Sequence, residues 1–176
     1  MIGKIKGFRL VVGLGNPGSR YTKTYHNVGF LFVKELGKKA EWIEEGALFS
    51  HASLDWEHEK VHLLLPQTFM NLSGEAVMTA LRKYKIKPEE ILVVHDDSDL
   101  ALGSHKLSIG QRSAGHRGVQ SIIDTLKTKE FYRLRIGIRT KPGKASDFVL
   151  RKISPTDFEV LQKLFTELKE TVIEKE

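Results

Sequence analysis

Residues Leu10 to Asn27 read LVVGLGNPGSRYTKTYHN, and this stretch decides the fold. Leu10 to Val12 form an apolar run, the pattern of a strand buried on both faces. Gly13, Gly15, Asn16, Pro17 and Gly18 follow at once and specify a tight loop. Polar groups therefore gather at the carboxyl end of a central strand, where open α/β sheets hold their sites. His26 lies a little further along, in reach of the same crevice, and is the candidate chemical centre.

Gly13-Leu14-Gly15-Asn16-Pro17-Gly18 also satisfies the dinucleotide pattern G-x-G-x-x-G. A nucleotide-cofactor oxidoreductase would need a helix opening inside that loop and an acidic residue ending a second strand about 20 residues later. Pro17 turns Asn16 away from helical angles, Ser19 to Asn27 lack helical periodicity, and Glu35 falls inside an amphipathic helix. The chain meets neither condition.

The remaining numbers bound the answer. At 176 residues, 40% hydrophobic and 28% charged, the chain suits one domain, residues 1–176, around one sizeable core. Its 28 Lys and Arg against 22 Asp and Glu leave a net charge of +6, which favours a polyanion partner, nucleic acid before membrane. No apolar run is long enough to span a bilayer, and the amino terminus MIGKIKGFRL is too short and too charged for a signal peptide. The absence of cysteine excludes disulfides, thiolate metal sites and thiol nucleophiles, and the expected location is cytoplasmic.

Hydrophobic spacing supplies the other elements. Val28, Leu31, Phe32, Val33 and Leu36 share a helix face that ends near Gly37 to Lys39. Leu48 to Gln67 alternate with period two around a polar turn at Asp55 to Lys60, a hairpin. Ala76, Val77, Ala80, Leu81 and Tyr84 mark a second helix, broken by Lys87-Pro88. Ile91 to Val94 read as a second buried parallel strand, ending in the polar run His95-Asp96-Asp97-Ser98-Asp99. A weaker strand at Lys106 to Ile109 leads to a helix with Val119, Ile122, Ile123 and Leu126, for which Ser113 or the glycines can serve as cap. Leu134, Ile136 and Ile138 alternate with Arg133, Arg135 and Arg139, giving one apolar strand face and one row of guanidinium groups. Thr140 to Ser154 suit a mobile flap, and a terminal helix over 155–174 opens at Ser154-Pro155 with Phe158, Leu161, Phe165, Leu168 and Val172 as its stripe. The fold class is therefore α/β, a mixed twisted β-sheet flanked by helices.

Chemistry narrows to few residues. His26 and Asp96 sit at the ends of the two buried strands and can pair as a base and its orienting carboxylate; Asp96 can equally cap a turn or balance arginines. Asn16 and Asn71 offer uncharged donors and acceptors on loops, which is also what turns use. No serine lies in a G-x-S-x-G elbow, Asp97-x-Asp99 lacks the later ligands of a calcium loop, and the histidines have no zinc spacing. Lys106, Arg112, His116, Arg117, Arg133 and Arg135 form a basic set that suits phosphate or a solvated face.

VGLGNPGSRYTKTYHNVGF, PQTFMNLSGEAV, VHDDSDLALG, GHRGVQSIID and FYRLRIGI resemble, in order and spacing, the blocks of bacterial peptidyl-tRNA hydrolase over roughly residues 9 to 150. The resemblance implies cleavage of the ester joining a peptide to the 3′ end of tRNA, without metal or organic cofactor. It implies His26 as catalytic base, Asp96 as its partner, and Asn16 and Asn71 as positioners of substrate or water. It implies Tyr21 and Met70 in the crevice for the terminal adenosine and peptide, and Lys106 and Arg135 on tRNA. His116 and Arg133 join the latter as tRNA-binding candidates, Arg117 joins the substrate-binding ones, and the expected working unit is a monomer with no obligate protein partner. Arg117 stands where the family usually has asparagine, and the chain stops at Glu176, before the distal tail of many members. A noncatalytic RNA-binding protein on the same fold is the rival reading.

Overall fold

The computed structural model describes residues 7–56 and 59–172, so the tip of the expected Asp55–Lys60 turn lies outside the described residues, as does the side chain of Val172. Strand β1 (Leu10–Gly13) is buried along its whole length because it is the middle of a seven-stranded sheet. It pairs in parallel with β4 (Glu59–Pro66) on one side and with β5 (Ile91–Ala101) on the other. Beyond β5 come β7 (Tyr132–Arg139), parallel, and then β6 (His105–Ile109), antiparallel. Beyond β4 come β3 (Phe49–Trp56), antiparallel, and a short edge strand β2 (Ile43–Glu45). The sheet is mixed, and its chain order changes direction at β1, which opens a crevice past the carboxyl ends of β1 and β5.

Helices cover both faces, which is why the central strands are apolar without alternation. Helices α1 (Val28–Leu36) and α4 (Pro155–Val172) lie on one face, where Phe32 and Phe165 meet with ring centroids 5.4 Å apart. Helices α2 (Ser73–Tyr84) and α3 (Arg117–Leu126) lie on the other. Period two divides β5 between them: Leu92 and Val94 join the α1 and α4 core, Ile91 and Val93 the α2 and α3 core. Each such fully buried aliphatic side chain stabilises the fold by about 1.5–3 kcal/mol. As expected from Ser154-Pro155, the Ser154 hydroxyl accepts the Asp157 N–H at 3.1 Å and opens α4.

Three local expectations are corrected, and one strand is added. β5 does not end at Val94: it runs on to Ala101 and stays paired with β7 through Asp97, because the buried Asp96 carboxylate is met by the His26 and His116 rings and that of Asp97 by Arg135 on β7. The cap of α3 is His116, whose ring nitrogen accepts the Val119 N–H, while the Ser113 hydroxyl donates to Gln120 at 2.7 Å. The arginines of β7 are not an open row. Arg133 is 3% exposed with its guanidinium on the Arg112 carbonyl, Arg135 is paired with Asp97, and Arg139 donates to the Ser98 carbonyl. β2 has no apolar pattern to announce it and exists through backbone pairing with β3, reinforced by the Ser50 hydroxyl donating to Glu44 at 2.7 Å.

The segment after β7 makes a 3₁₀ turn at Ala145–Asp147 and then runs alongside the residues that precede α1. The His26 N–H donates to the Val149 carbonyl at 2.8 Å, the Tyr25 N–H to Arg151 at 3.2 Å, and the Ile153 N–H to Lys23 at 2.8 Å. This ribbon fixes the backbone on which His26 stands.

Candidate active site

A crevice of about 570 Å³ opens past β1 and β5, lined among others by Asn16, His26, Phe69, Met70, Asn71, Asp96, His116 and Arg117. His26 reaches it from a 3₁₀ turn, Tyr25–Asn27, directly ahead of α1. The first turn of α1 lies hard against the strand ends: a Cβ at Gly29 would collide with the Val94 carbonyl and the Leu14 backbone. That close approach brings His26 Nδ1 to 2.9 Å from both oxygens of Asp96.

His116 arrives from the opposite wall. Ala114 at φ +51° and Gly115 at φ +83° turn the chain sharply into α3, a left-handed conformation that costs a non-glycine residue about 1–2 kcal/mol. His116 then spends Nδ1 on the Val119 N–H at 3.3 Å and presents Nε2 to Asp96 Oδ1 at 2.9 Å. An accepting Nδ1 assigns the proton to Nε2, so His116 donates to the carboxylate. The same logic puts the His26 proton on Nδ1 and leaves its Nε2 lone pair free. Asp96, only 3% exposed, thus accepts from two imidazoles at once.

Charge follows this geometry. Burial by itself would raise the Asp96 pKa, but the two imidazoles hold it well below the usual carboxylate range. Burial presses the His26 pKa down, yet the charge and hydrogen bonds of Asp96 prevail and move it up, against a smaller downward push from Arg117. His95 behaves oppositely. Fully buried and beside His116, it is pushed well below the ordinary imidazole value and stays neutral; its Nδ1 donates to the Asp96 carbonyl at 2.7 Å. Its Nε2 meets no partner among the described residues.

The amides divide their work. Asn27 clasps the Asn16 backbone through two 2.9 Å hydrogen bonds, and Asn16 Oδ1 accepts the Met70 N–H at 2.8 Å. Asn16 therefore ties the loop after β1 to the loop after β4 and keeps its own NH₂ for the crevice. Met70 is buried against α3, where a Cβ at Gly118 would come within 2.5 Å of its Sδ. Asn71 and Arg117 are exposed on the crevice wall.

Tyr21 does not line the crevice itself; it stands edge-on to Phe69, which does, at 6.5 Å. Lys106 is exposed on β6 opposite Arg135, whose guanidinium is held by Asp97 at 2.6 Å. Lys106, Arg133 and Arg135 stand apart from the crevice wall, whereas His116, grouped with them from sequence, lies at its centre. Asn27, Phe69 and His95 were not singled out from sequence. Only Asn27 carried a signal, a second amide directly beside the candidate histidine.

One donor of each of His26, Asp96 and His116 falls within 4.8 Å of the others, the set among the described residues that could converge on a metal ion. Asp96 already stands at hydrogen-bond distance from both rings.

The model of the peptidyl-tRNA hydrolase family matches residues 10–175. A peptidyl-tRNA hydrolase of Sulfurihydrogenibium sp. is 43% identical over 171 residues, covering 94% of this chain and 89% of that protein. One of Aquifex aeolicus is 45% identical over 161 residues, covering 89% and 83%. The crystal structure of peptidyl-tRNA hydrolase from Acinetobacter baumannii superposes with a TM-score of 0.84 at 34% identity, covering 97% of this chain and 91% of that one.

Proposed function

The chain belongs to the peptidyl-tRNA hydrolase family and hydrolyses peptidyl-tRNA, and we propose that His26 is the general base of that reaction with Asp96 as its orienting partner. The observation that carries the proposal is the 2.9 Å contact of His26 Nδ1 with both Asp96 oxygens, in a crevice open to substrate. With Nδ1 protonated, Nε2 takes a proton from water as the water oxygen attacks the ester carbonyl. The carbonyl oxygen becomes an oxyanion; as it collapses, the bond to the ribose oxygen breaks and the imidazolium returns its proton to that leaving group. Water is the nucleophile, so no acyl-enzyme forms. A positioned base of this kind contributes about 10²–10⁴-fold.

The Asn16 and Asn71 amides and the Arg117 guanidinium supply donors to water, carbonyl or oxyanion, while Met70 and Tyr21, the latter through Phe69, shape the walls for adenosine and peptide. The tRNA-binding candidates Lys106, Arg135, His116 and Arg133 divide by their surroundings. Exposed Lys106 suits direct phosphate contact, Arg135 reaches phosphate only in competition with Asp97, and His116 and Arg133 support the site from within. Of the flap expected over residues 140–154, residues 149–153 are tied to 23–26 by backbone hydrogen bonds, so residues 140–148 act as the flap beside the crevice. No helix among the described residues is long and apolar enough to cross a membrane. The working unit is a monomer in the cytoplasm with no obligate protein partner.

The test is to offer the purified protein an N-blocked aminoacyl-tRNA and the same ester with a free amine, each with and without chelator. Selective cleavage of the blocked ester, unchanged by chelator, is expected. Equal cleavage of both, or loss with chelator, overturns the scheme.

A further inference from the structure

The two strands of the ribbon that holds His26 contain four cations and no carboxylate: residues 16–26 include Arg20 and Lys23, and residues 148–154 include Arg151 and Lys152. All four are exposed, and none forms an ion pair with a described carboxylate. Three of them are also held in place. The Lys152 ammonium donates to the Arg20 carbonyl at 2.7 Å and to Ser19 at 3.4 Å; the Arg20 guanidinium lies 5.7 Å from the Tyr21 ring centre, and the Lys23 ammonium 5.2 Å from that of Phe158. Cations fixed on backbone and rings lose less side-chain freedom on meeting an anion than free ones do.

Their place in the fold gives the patch its meaning. Asn16 lines the crevice and Arg20 and Lys23 follow on the same loop; Val149 and Leu150 line it and Arg151 and Lys152 follow at once. A Thr24–Lys152 bridge joins the two strands. The cations therefore stand on the ribbon a few residues on from the crevice lining, while Arg117 lines the crevice and Arg112 stands exposed on the loop before it.

We propose that Arg20, Lys23, Arg151 and Lys152 form an RNA-phosphate-binding rim that seats the body of the substrate RNA while its esterified 3′ end occupies the crevice. The inference rests on the hydrolase reading above. A duplex RNA end presents phosphates on two strands, and a crevice edged by cations on more than one side can engage both. The contacts are sequence-independent, because a fixed cation on a phosphate reads charge and spacing and no base edge. Binding through them releases counterions and weakens as salt rises.

The experiment compares wild type with the triple variant Arg20→Gln, Lys23→Gln, Arg151→Gln, which leaves the Lys152 contacts to backbone intact. KM and kcat are measured from 50 to 200 mM salt on N-acetyl-aminoacyl-tRNA and on the matching N-acetyl-aminoacyl adenosine. Each lost phosphate contact removes about a threefold sensitivity over that salt range. Expected is a tRNA KM raised at low salt, a salt dependence flatter by about 20- to 40-fold for three contacts, and unchanged kinetics on the adenosine ester. An unchanged salt dependence on tRNA overturns the proposal. So does a defect of the same size on the adenosine ester, which would assign the rim to the peptidyl-adenosine end or to the fold. If wild type cleaves neither ester, the hydrolase reading fails instead.

Discussion

His26 and Asp96 face each other with the imidazole Nδ1 equidistant, at 2.9 Å, from both carboxylate oxygens, and the carboxylate is buried beneath the ring. Such a carboxylate does two things for a base. It selects the tautomer that leaves Nε2 free, and its charge favours the imidazolium that forms once Nε2 has taken a proton. Both effects are separable by substitution.

Asp96→Asn keeps the shape and removes the charge. The upward push on His26 disappears, so the acidic limb of the kcat/KM profile moves to lower pH. An amide can also present its NH₂ to Nδ1 and select the wrong tautomer, and kcat is expected to fall on the order of 10²- to 10⁴-fold. A pH–rate profile measures both; a fall without any movement of the limb would separate orientation from charge.

Arg117→Asn works in the other direction. The guanidinium lowers the His26 pKa, so its removal raises that pKa, and a larger share of the base is protonated on the acidic side. Activity near pH 6 should drop more than activity near pH 8. A limb that stays put shows that Arg117 does not act on the base.

His116 joins the start of α3 to Asp96, so its loss should be felt in both folding and catalysis. His116→Ala removes a helix cap and one hydrogen bond to a buried charge, together about 1–3 kcal/mol of stability. His116→Asn retains a capping acceptor on a shorter side chain. Urea denaturation should show only the capping share of the stability restored, with kcat still reduced because Asp96 has lost one of its two donors.

Folding stability should decline in mild acid. The folded-state pKa values of His95, His51 and His62 all lie below the ordinary imidazole value, chiefly through burial. Below about pH 6.5 the unfolded chain takes up protons that these rings refuse, so their contribution is present above that pH and lost as pH falls. His26, raised, opposes them: its contribution is present below about pH 6.5 and lost as pH rises through its folded value. Asp96, lowered, contributes in full above about pH 4 and loses that contribution gradually as pH falls further toward its folded value. A urea midpoint lower at pH 5.5 than at pH 8 is expected; a higher one would mean that His26 outweighs the three neutral rings.

Local pattern made much of this legible. The apolar run at Leu10 and the glycine cluster after it announced β1 and its loop, and Ile91 to Val94 announced β5, because strands covered on both faces have no polar positions to confuse the reading. The pairing of His26 with Asp96 was readable as two polar residues following two buried strands. What pattern could not show was compensation between distant residues. Asp97 stays in a strand because Arg135, 38 positions on, neutralises it, and Arg133 is buried because the Arg112 carbonyl receives it. His116 looked like one cation in a basic set, and only the left-handed turn at Ala114 and Gly115 aims it at Asp96. β2 follows from a free edge on β3 and from no feature of its own residues.

The central claim is that His26 takes the proton from the attacking water. The most direct measurement is single-turnover cleavage of an N-blocked aminoacyl-tRNA by wild type and His26→Ala, with tRNA affinity measured alongside. A rate lower on the order of 10²- to 10⁴-fold, with affinity essentially unchanged, is the expected result. A variant that cleaves near the wild-type rate would contradict the account and require another base.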